Sequence, residues 1–218
     1  LEYRTTDVRM DVSNMVYEWV EQAYLDGGYI EEGFMTIPLP NNGIIVKRSD
    51  AHEDDTTNYG CLKFFSRDTN TIYPPKLEVC WDDSTYSTGS SMDEIPVDGY
   101  KVYMKDFNTT YKEASKARFR VLARSKYHVA SNVPGQNKSF TKYYLPKTSY
   151  YSIKDAHTEE VITDFDSFTK ISADSTSNYF DIWMNSLQPE RYYKFVFKVE
   201  KDGFVEIIDD DFTFKVIR

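Results

Sequence analysis

The sequence predicts an all-β chain organised as two sandwich-type modules, and three observations predict it. Composition is the first: 218 residues hold 18 Tyr and 14 Phe, with many Thr, Val and Ile, and such side chains fit a pleated, half-buried surface. The second is a period of two in apolar residues along several short segments, which places one side of each against a core. The third is a polar stretch over 83–98, rich in Asp, Ser, Thr and Gly and carrying Pro96 near its end. It reads as a linker between a module at 1–82 and another at 99–218.

The same composition excludes several classes of function. No run approaches 18 apolar residues, so no membrane-spanning helix is expected and a membrane is not among the predicted partners. A formal charge of −9 repels phosphate overall and argues against a nucleic-acid partner. Cys61 and Cys80 are the two cysteines, too few for a disulfide framework. Each sits in an apolar alternation, where a thiol behaves as a small buried hydrophobe, so free thiols are expected, with pairing open if their strands are neighbours. The sequence starts at Leu1 with neither an initiator Met nor a signal peptide, and is therefore expected to be a fragment or a processed product.

The elements follow in chain order. Val8, Met10 and Val12 alternate and lead to Ser13, read as an N-cap; Val12, Val16, Trp19 and Val20 then fall at helical spacing. Glu21 to Pro40 reads as a long loop, since it holds Gly27-Gly28, Gly33 and two prolines. Asn41-Asn42-Gly43 signals a turn before a strand at Ile44–Val46. His52–Thr57 reads as an acidic loop, and Leu62–Phe65 and Leu77–Trp81 as strands. Past the linker, strands are predicted at Tyr100–Met104 and at Arg118–Arg124. In the latter, Phe119, Val121 and Ala123 alternate with Arg118, Arg120 and Arg124, giving a half-buried strand with a basic outer face. Tyr143–Phe168 reads as two or more strands around Lys154–Thr158. Ser177–Leu187, Tyr192–Val199, Phe204–Ile208 and Phe212–Ile217 complete the set, with Asp202-Gly203 as a hairpin turn.

The sharpest motif is Leu187-Gln188-Pro189-Glu190-Arg191-Tyr192-Tyr193, followed by the alternating Phe195, Phe197 and Val199. It resembles the corner between strands E and F of fibronectin type III and immunoglobulin-like sandwiches, where a tyrosine hydroxyl bonds back to upstream backbone. On that resemblance Asn178–Leu187 is strand E, Tyr193–Glu200 strand F and Phe212–Ile217 strand G, and the aromatics belong to core and corner. The first module resembles a DNRLRE-type jelly-roll domain, a module found beside carbohydrate-active enzymes and on surface proteins. Four blocks carry this likeness: residues 11–20, 40–46, 62–68 and 73–79. The family's earlier strands are missing, so the resemblance implies the C-terminal half of a jelly roll. Taken together, the fold class is all-β, a partial jelly roll followed by an immunoglobulin/fibronectin-III-like sandwich. The succession of these modules, with Tyr144-Leu145-Pro146-Lys147 and Asp181-Ile182-Trp183-Met184, resembles virion structural proteins of large tailed marine phages.

Catalytic constellations are missing from the sequence. His52, His128 and His157 are scattered through polar segments with no partner at metal-ligand or triad spacing. No nucleophile elbow, phosphate loop or dinucleotide fingerprint occurs. Asp54-Asp55, Asp82-Asp83 and Asp209-Asp210-Asp211 are adjacent in sequence, and neighbours on a strand point to opposite faces. A Ca²⁺ site in the 50–55 loop is the metal reading weighed against a solvated acidic loop, which is preferred. No enzyme, catalytic residue, metal or cofactor is therefore expected. The candidate interaction site is the apolar loop with Tyr24, Tyr29, Phe34 and Met35, which either forms an exposed patch or folds back on the module.

Function is accordingly expected to be structural: a virion component at a neck, tail or baseplate, with other virion structural proteins and copies of itself as partners. The alternative is a carbohydrate-binding or adhesion module on a fibre or cell surface, with host-surface polysaccharide as partner. The two differ in what they need: coplanar exposed aromatics for a sugar, apolar or strand-edge area for assembly. The half jelly roll is also expected to leave an apolar face (Val16, Trp19, Ile44, Val46, Phe64, Leu77, Val79) in need of a cover.

Overall fold

The computed structural model describes residues 9–26, 41–47, 49–58, 63–68, 74–89, 92–127 and 140–218. The chain divides into two compact units, Leu1–Leu62 and Lys63–Arg218. Eleven strands and two α-helices lie among the described residues, so the all-β class holds.

In the first unit the described elements are helical. Helix α1 spans Ser13–Asp26. Its first N–H groups need acceptors from outside the helix, and Asp11 Oδ1 takes the Ser13 N–H at 2.9 Å. The capping carboxylate is thus Asp11, two residues before the Ser13 expected in that role. The helix runs past Glu21 to Asp26, so Tyr24 lies on α1 rather than in a loop. Its apolar stripe (Val12, Val16 and Trp19) is only half-buried. Helix α2 is one turn, Asp50–Glu53, inside the segment expected as an acidic loop. Gly43 has φ of 83°, and its N–H reaches Asn41 Oδ1 at 3.4 Å, so the predicted turn at 41–43 forms. The strand expected at Ile44–Val46 does not form a ladder.

The second unit is a two-sheet sandwich. One sheet holds β1 (Asp93–Glu94), β2 (Tyr100–Lys105), β4 (Lys116–Ser125), β5 (Lys142–Tyr144), β8 (Ser172–Ala173) and β9 (Asn178–Trp183). The other holds β3 (Thr110–Lys112), β6 (Ser149–Asp155), β7 (Val161–Thr163), β10 (Tyr192–Lys201) and β11 (Phe204–Ile217), in the order β3-β11-β10-β6-β7. In the first sheet β4 is flanked by β2 on one edge; its other edge pairs with β9 and, further along, with β5. Assigning β2, β4, β6, β7, β9, β10 and β11 to strands A, B, C, C′, E, F and G gives A-B-E in one sheet and G-F-C-C′ in the other. That is the immunoglobulin-like arrangement. The parallel pairing of β3 with β11 adds the segment after strand A to the edge of the second sheet.

Aromatic rings fill the space between the sheets. Phe119 on β4 lies 4.7 Å from Phe195 on β10, which stacks on Phe214 at 4.8 Å. Tyr151 stacks on Phe180 at 4.2 Å. Offset and edge-on pairs like these add about 0.5–1.5 kcal/mol each beyond the area they bury. Phe195 stands two residues after the corner tyrosine, where antibody domains carry a cysteine of their inter-sheet disulfide. Here the Phe119–Phe195 contact joins the sheets instead.

The corner forms as the sequence implies. Tyr193 is 2% exposed, and its hydroxyl donates to the Gln188 carbonyl at 3.0 Å while accepting the Gln188 N–H at 2.9 Å. Strand E is shorter than expected: β9 stops at Trp183 and a 3₁₀ turn, Met184–Ser186, leads to the corner. Asp202 and Gly203, with φ of 50° and 84°, make the two-residue hairpin turn. The two strands expected at 204–208 and 212–217 are one strand, β11, whose register shifts at 209–211.

The 83–98 stretch, expected as a linker, is laid along the sandwich. Asp82 binds Lys170 at 2.8 Å, Tyr86 bridges to Ala173, and Ser87 N–H donates to the Ala173 carbonyl at 3.0 Å. Gly89 passes close to Ser175: a Cβ there would meet its carbonyl oxygen at 3.0 Å. β1 then pairs with β5, and Ile95 is buried at 1% exposure. The turn-rich stretch is thus held mainly by bonds to distant parts of the sandwich, among them Thr85 to Ser172 and Tyr86 to the Leu145 carbonyl.

Candidate functional site: apolar surface and a basic sheet face

Two surface features stand out among the described residues. The first is apolar. Ile45 is 86% exposed, Leu77 68%, Val79 70% and Trp81 60%, and Phe64 and Phe65 are exposed as well. The alternations expected at 44–46, 62–65 and 77–81 are present in sequence, yet residues 41–47, 63–66 and 74–81 join no ladder. With no partner strand, both sides of such a segment face water. Exposed apolar side chains that recur along one stretch, as Leu77, Val79 and Trp81 do, commonly mark an interaction surface. Cys80 lies in the same stretch and is exposed rather than buried; Cys61 lies outside the described residues.

The segment from 74 onward is nonetheless anchored to its own unit. Lys76 Nζ donates to the carbonyls of Asn185 at 2.8 Å and Leu187 at 3.3 Å, with Glu113 3.5 Å away. An open cleft of about 460 Å³ lies at that end, lined by Lys112, Glu113, Ala114, Trp183, Asn185 and Arg218. Among the described residues that line it, Glu113 supplies the one carboxylate side chain.

The second feature is the outer face of the β2-β4-β5-β9 region. Residues directly opposite across an antiparallel pair share a face, with Cβ atoms about 4.5–5.5 Å apart. Arg118 stands opposite Asp181 and binds it through two bonds, at 2.8 and 2.9 Å, while Lys116 reaches the same carboxylate at 3.1 Å. Arg118 chiefly, then Lys116, hold Asp181 below the usual carboxylate range despite its partial burial. Arg120 is tied to Asp174 at 3.0 Å, Thr176 at 2.8 Å and Ser177 at 2.7 Å. Burial pushes the Asp174 carboxyl up, but bonds from Thr176, Ser177 and Arg120 outweigh it and bring it down from 3.8 to about 2. Further along, Arg124 has Lys101 opposite on β2 and Lys142 opposite on β5. Three cations therefore lie in one row across three strands.

Three aromatics of this region are engaged by its cations. The Arg118 guanidinium sits 4.3 Å from the Tyr179 ring, Lys116 lies 5.6 Å from Trp183, and Arg124 lies 4.1 Å from Phe140. Each ring spends a face on a cation, which leaves less open ring area for a sugar.

The acidic run at 209–211 is split by the bulge. Asp209 binds Lys194 at 2.8 Å, and Glu159 binds the same Lys194 at 2.8 Å. Asp210 turns toward Lys101, 3.7 Å away, and Asp211 has φ of 54°. The carboxylates diverge, as adjacent residues on a strand must. Among the described residues no group of three or more His, Cys, Asp or Glu is placed to hold a metal ion, and no helix is long and apolar enough to cross a membrane.

Of the predicted interaction residues, Tyr24 lies on α1, and Tyr29, Phe34 and Met35 fall outside the described residues. The row of three cations escaped sequence reading because it depends on register. Arg124 could be seen on an alternating strand; its neighbours Lys101 and Lys142 could not. Comparison with known proteins finds no matching family model, no matching curated protein and no matching solved structure.

Proposed function

We propose that this chain is a non-enzymatic structural component of a tailed-phage virion, at a neck, tail or baseplate, acting through protein–protein assembly surfaces. The observation that carries the assembly reading is the exposure, within the second unit, of Leu77, Val79 and Trp81, with Phe64 and Phe65 exposed as well. Burying one such side chain is worth about 1.5–3 kcal/mol, so a partner that covers several gains substantial affinity. The virion setting rests on the sequence likeness alone. The partners are copies of this chain and other virion proteins. Cation-engaged rings at Tyr179, Trp183 and Phe140 count against the carbohydrate-binding alternative.

Sedimentation velocity across a concentration series tests the reading. The wild-type chain is expected to self-associate, or to co-sediment with a virion protein supplied with it. The variant with Leu77→Ser, Val79→Ser and Trp81→Ser together is expected to stay monomeric with unchanged far-UV circular dichroism. A triple variant that associates as well as wild type would remove this surface from assembly.

A further inference from the structure

We infer that the basic outer face of the β2-β4-β5 region docks the acidic N-terminal unit of a second copy of this chain, giving head-to-tail assembly. The inference deepens the assembly reading and rests on it. Charge is distributed very unequally along the sequence. Residues 1–62 hold twelve Asp and Glu against four Lys and Arg, a formal −8; residues 63–218 hold 23 against 22, a formal −1. Nearly all of the chain's negative charge therefore belongs to one unit.

The sandwich is almost neutral as a whole, yet one face of it is not. Lys101, Arg124 and Lys142 stand in a row across β2, β4 and β5. Lys105 stands opposite Arg120 on the same face. Like charges placed directly opposite destabilise a sheet, and compensation within the sandwich is partial. Asp174 and Asp181 are committed to Arg120, Arg118 and Lys116. Asp210 and Asp106 reach Lys101 and Lys105 only at 3.7 and 3.9 Å. Arg124 and Lys142 have no ion pair among the described residues. A row of this kind is relieved by an anionic partner.

The acidic unit has its own need for a partner. Helix α1 is 14 residues long, a length at which an unsupported helix is marginal in water. It carries Glu18 and Glu21 with no basic residue, preceded by Asp11. Met15, Tyr17 and Val20 are exposed beside these carboxylates. A cationic surface, with Lys101, Arg124 and Lys142 in one row, complements the charge of this helix. Opposite charge across an interface sets orientation and speeds encounter. The basic face and α1 lie on different units of one chain, so the contact repeats from copy to copy as a heterologous interface.

A charge-swap experiment on the full chain tests the inference. One variant carries Lys101→Glu and Lys142→Glu, both at exposed positions; the other carries Glu18→Lys and Glu21→Lys. Each alone is expected to lose self-association, read as a shift of the weight-average sedimentation coefficient to the monomer value. Mixed in equal amounts they are expected to recover it. Association of wild type should weaken about tenfold or more when salt rises from low to high, because exposed charges are screened. Near-UV circular dichroism checks that both variants keep the wild-type fold.

Three outcomes overturn the inference in distinguishable ways. If the variants associate as wild type does, with no salt dependence, apolar assembly stands and electrostatic docking falls. If each is monomeric but the mixture fails to recover, the contact is not between α1 and this face of a second copy. If wild type is monomeric at every concentration and binds no partner, both the inference and the assembly reading fall.

Discussion

The segments Leu77-Val79-Trp81 and Phe195-Phe197-Val199 have the same alternation of apolar residues and opposite fates. Phe195, Phe197 and Val199 lie on β10 between β6 and β11, facing Phe119 and Phe180 across the sandwich, and are buried at 0–2% exposure. Leu77, Val79 and Trp81 join no ladder and stand in water. Alternation says that one side of a strand has somewhere to be buried. It does not say that the burying surface belongs to the same chain. In β10 the surface is supplied by neighbouring strands and the opposite sheet; at 77–81 no described strand supplies one. The contrast separates residues that hold the fold from residues available for association.

The largest effects should break the comparison if it is wrong. Phe195→Ala removes the ring that joins the sheets, and large-to-small changes at such positions cost about 3–5 kcal/mol. Val79→Ala changes an exposed position and should stay within about 0.5 kcal/mol. Denaturant titration of both variants checks this. Similar losses would mean that residue 79 contributes to the fold of the free chain.

A smaller effect is expected at the corner. Tyr193→Phe removes a hydroxyl that both donates to and accepts from Gln188, costing about 1–2 kcal/mol because a part-buried N–H and carbonyl lose their partner. A change below a few tenths, measured in the same titration, would show that ring burial alone holds the turn.

Smaller still is a pH effect on the basic face. The Asp174 carboxyl in the folded chain lies at about 2, below its ordinary value of 3.8. The ionised form is therefore favoured by folding: its contribution is complete above about pH 4 and is lost as pH falls through about 2. Asp174→Asn should be less stable than wild type at pH 5, and the gap should close by pH 2. Thermal melts at the two values check this; a gap that widens in acid would reverse the sign.

What was legible in the sequence follows the same division. The corner, the Asp202-Gly203 hairpin and the long strands β4, β6, β9 and β10 were readable because each carries a local signal. Turn chemistry or a sustained period of two marks it, and burial within the chain then enforces it. The strands β1, β3 and β8 have two or three residues and no period of their own; partner register alone creates them. The strap over 83–98 has the composition of a linker because Ser, Thr, Asp and Gly are turn formers whether or not the turns rest on a neighbour. At 44–46, 62–65 and 77–81 the local signal was present and the partner strand was not. For the candidate surface, the basic phase of β4 was visible, whereas the row Lys101–Arg124–Lys142 needed three strands in register. Phe64, Leu77 and Val79 are legible too, as an apolar face in need of a cover, but the sequence places that face on paired strands, whereas these segments join no ladder.

Amide hydrogen exchange, followed residue by residue at low and high protein concentration, tests the central claim most directly. In dilute protein, strong protection should be found in β4, β6, β9, β10 and β11, while Leu77, Val79 and Trp81 exchange quickly. Raising the concentration, or adding the partner, should protect those three residues without altering the sandwich. Protection of Leu77, Val79 and Trp81 equal to that of Phe195 in the dilute monomer would contradict the account, since the segment would then belong to the fold.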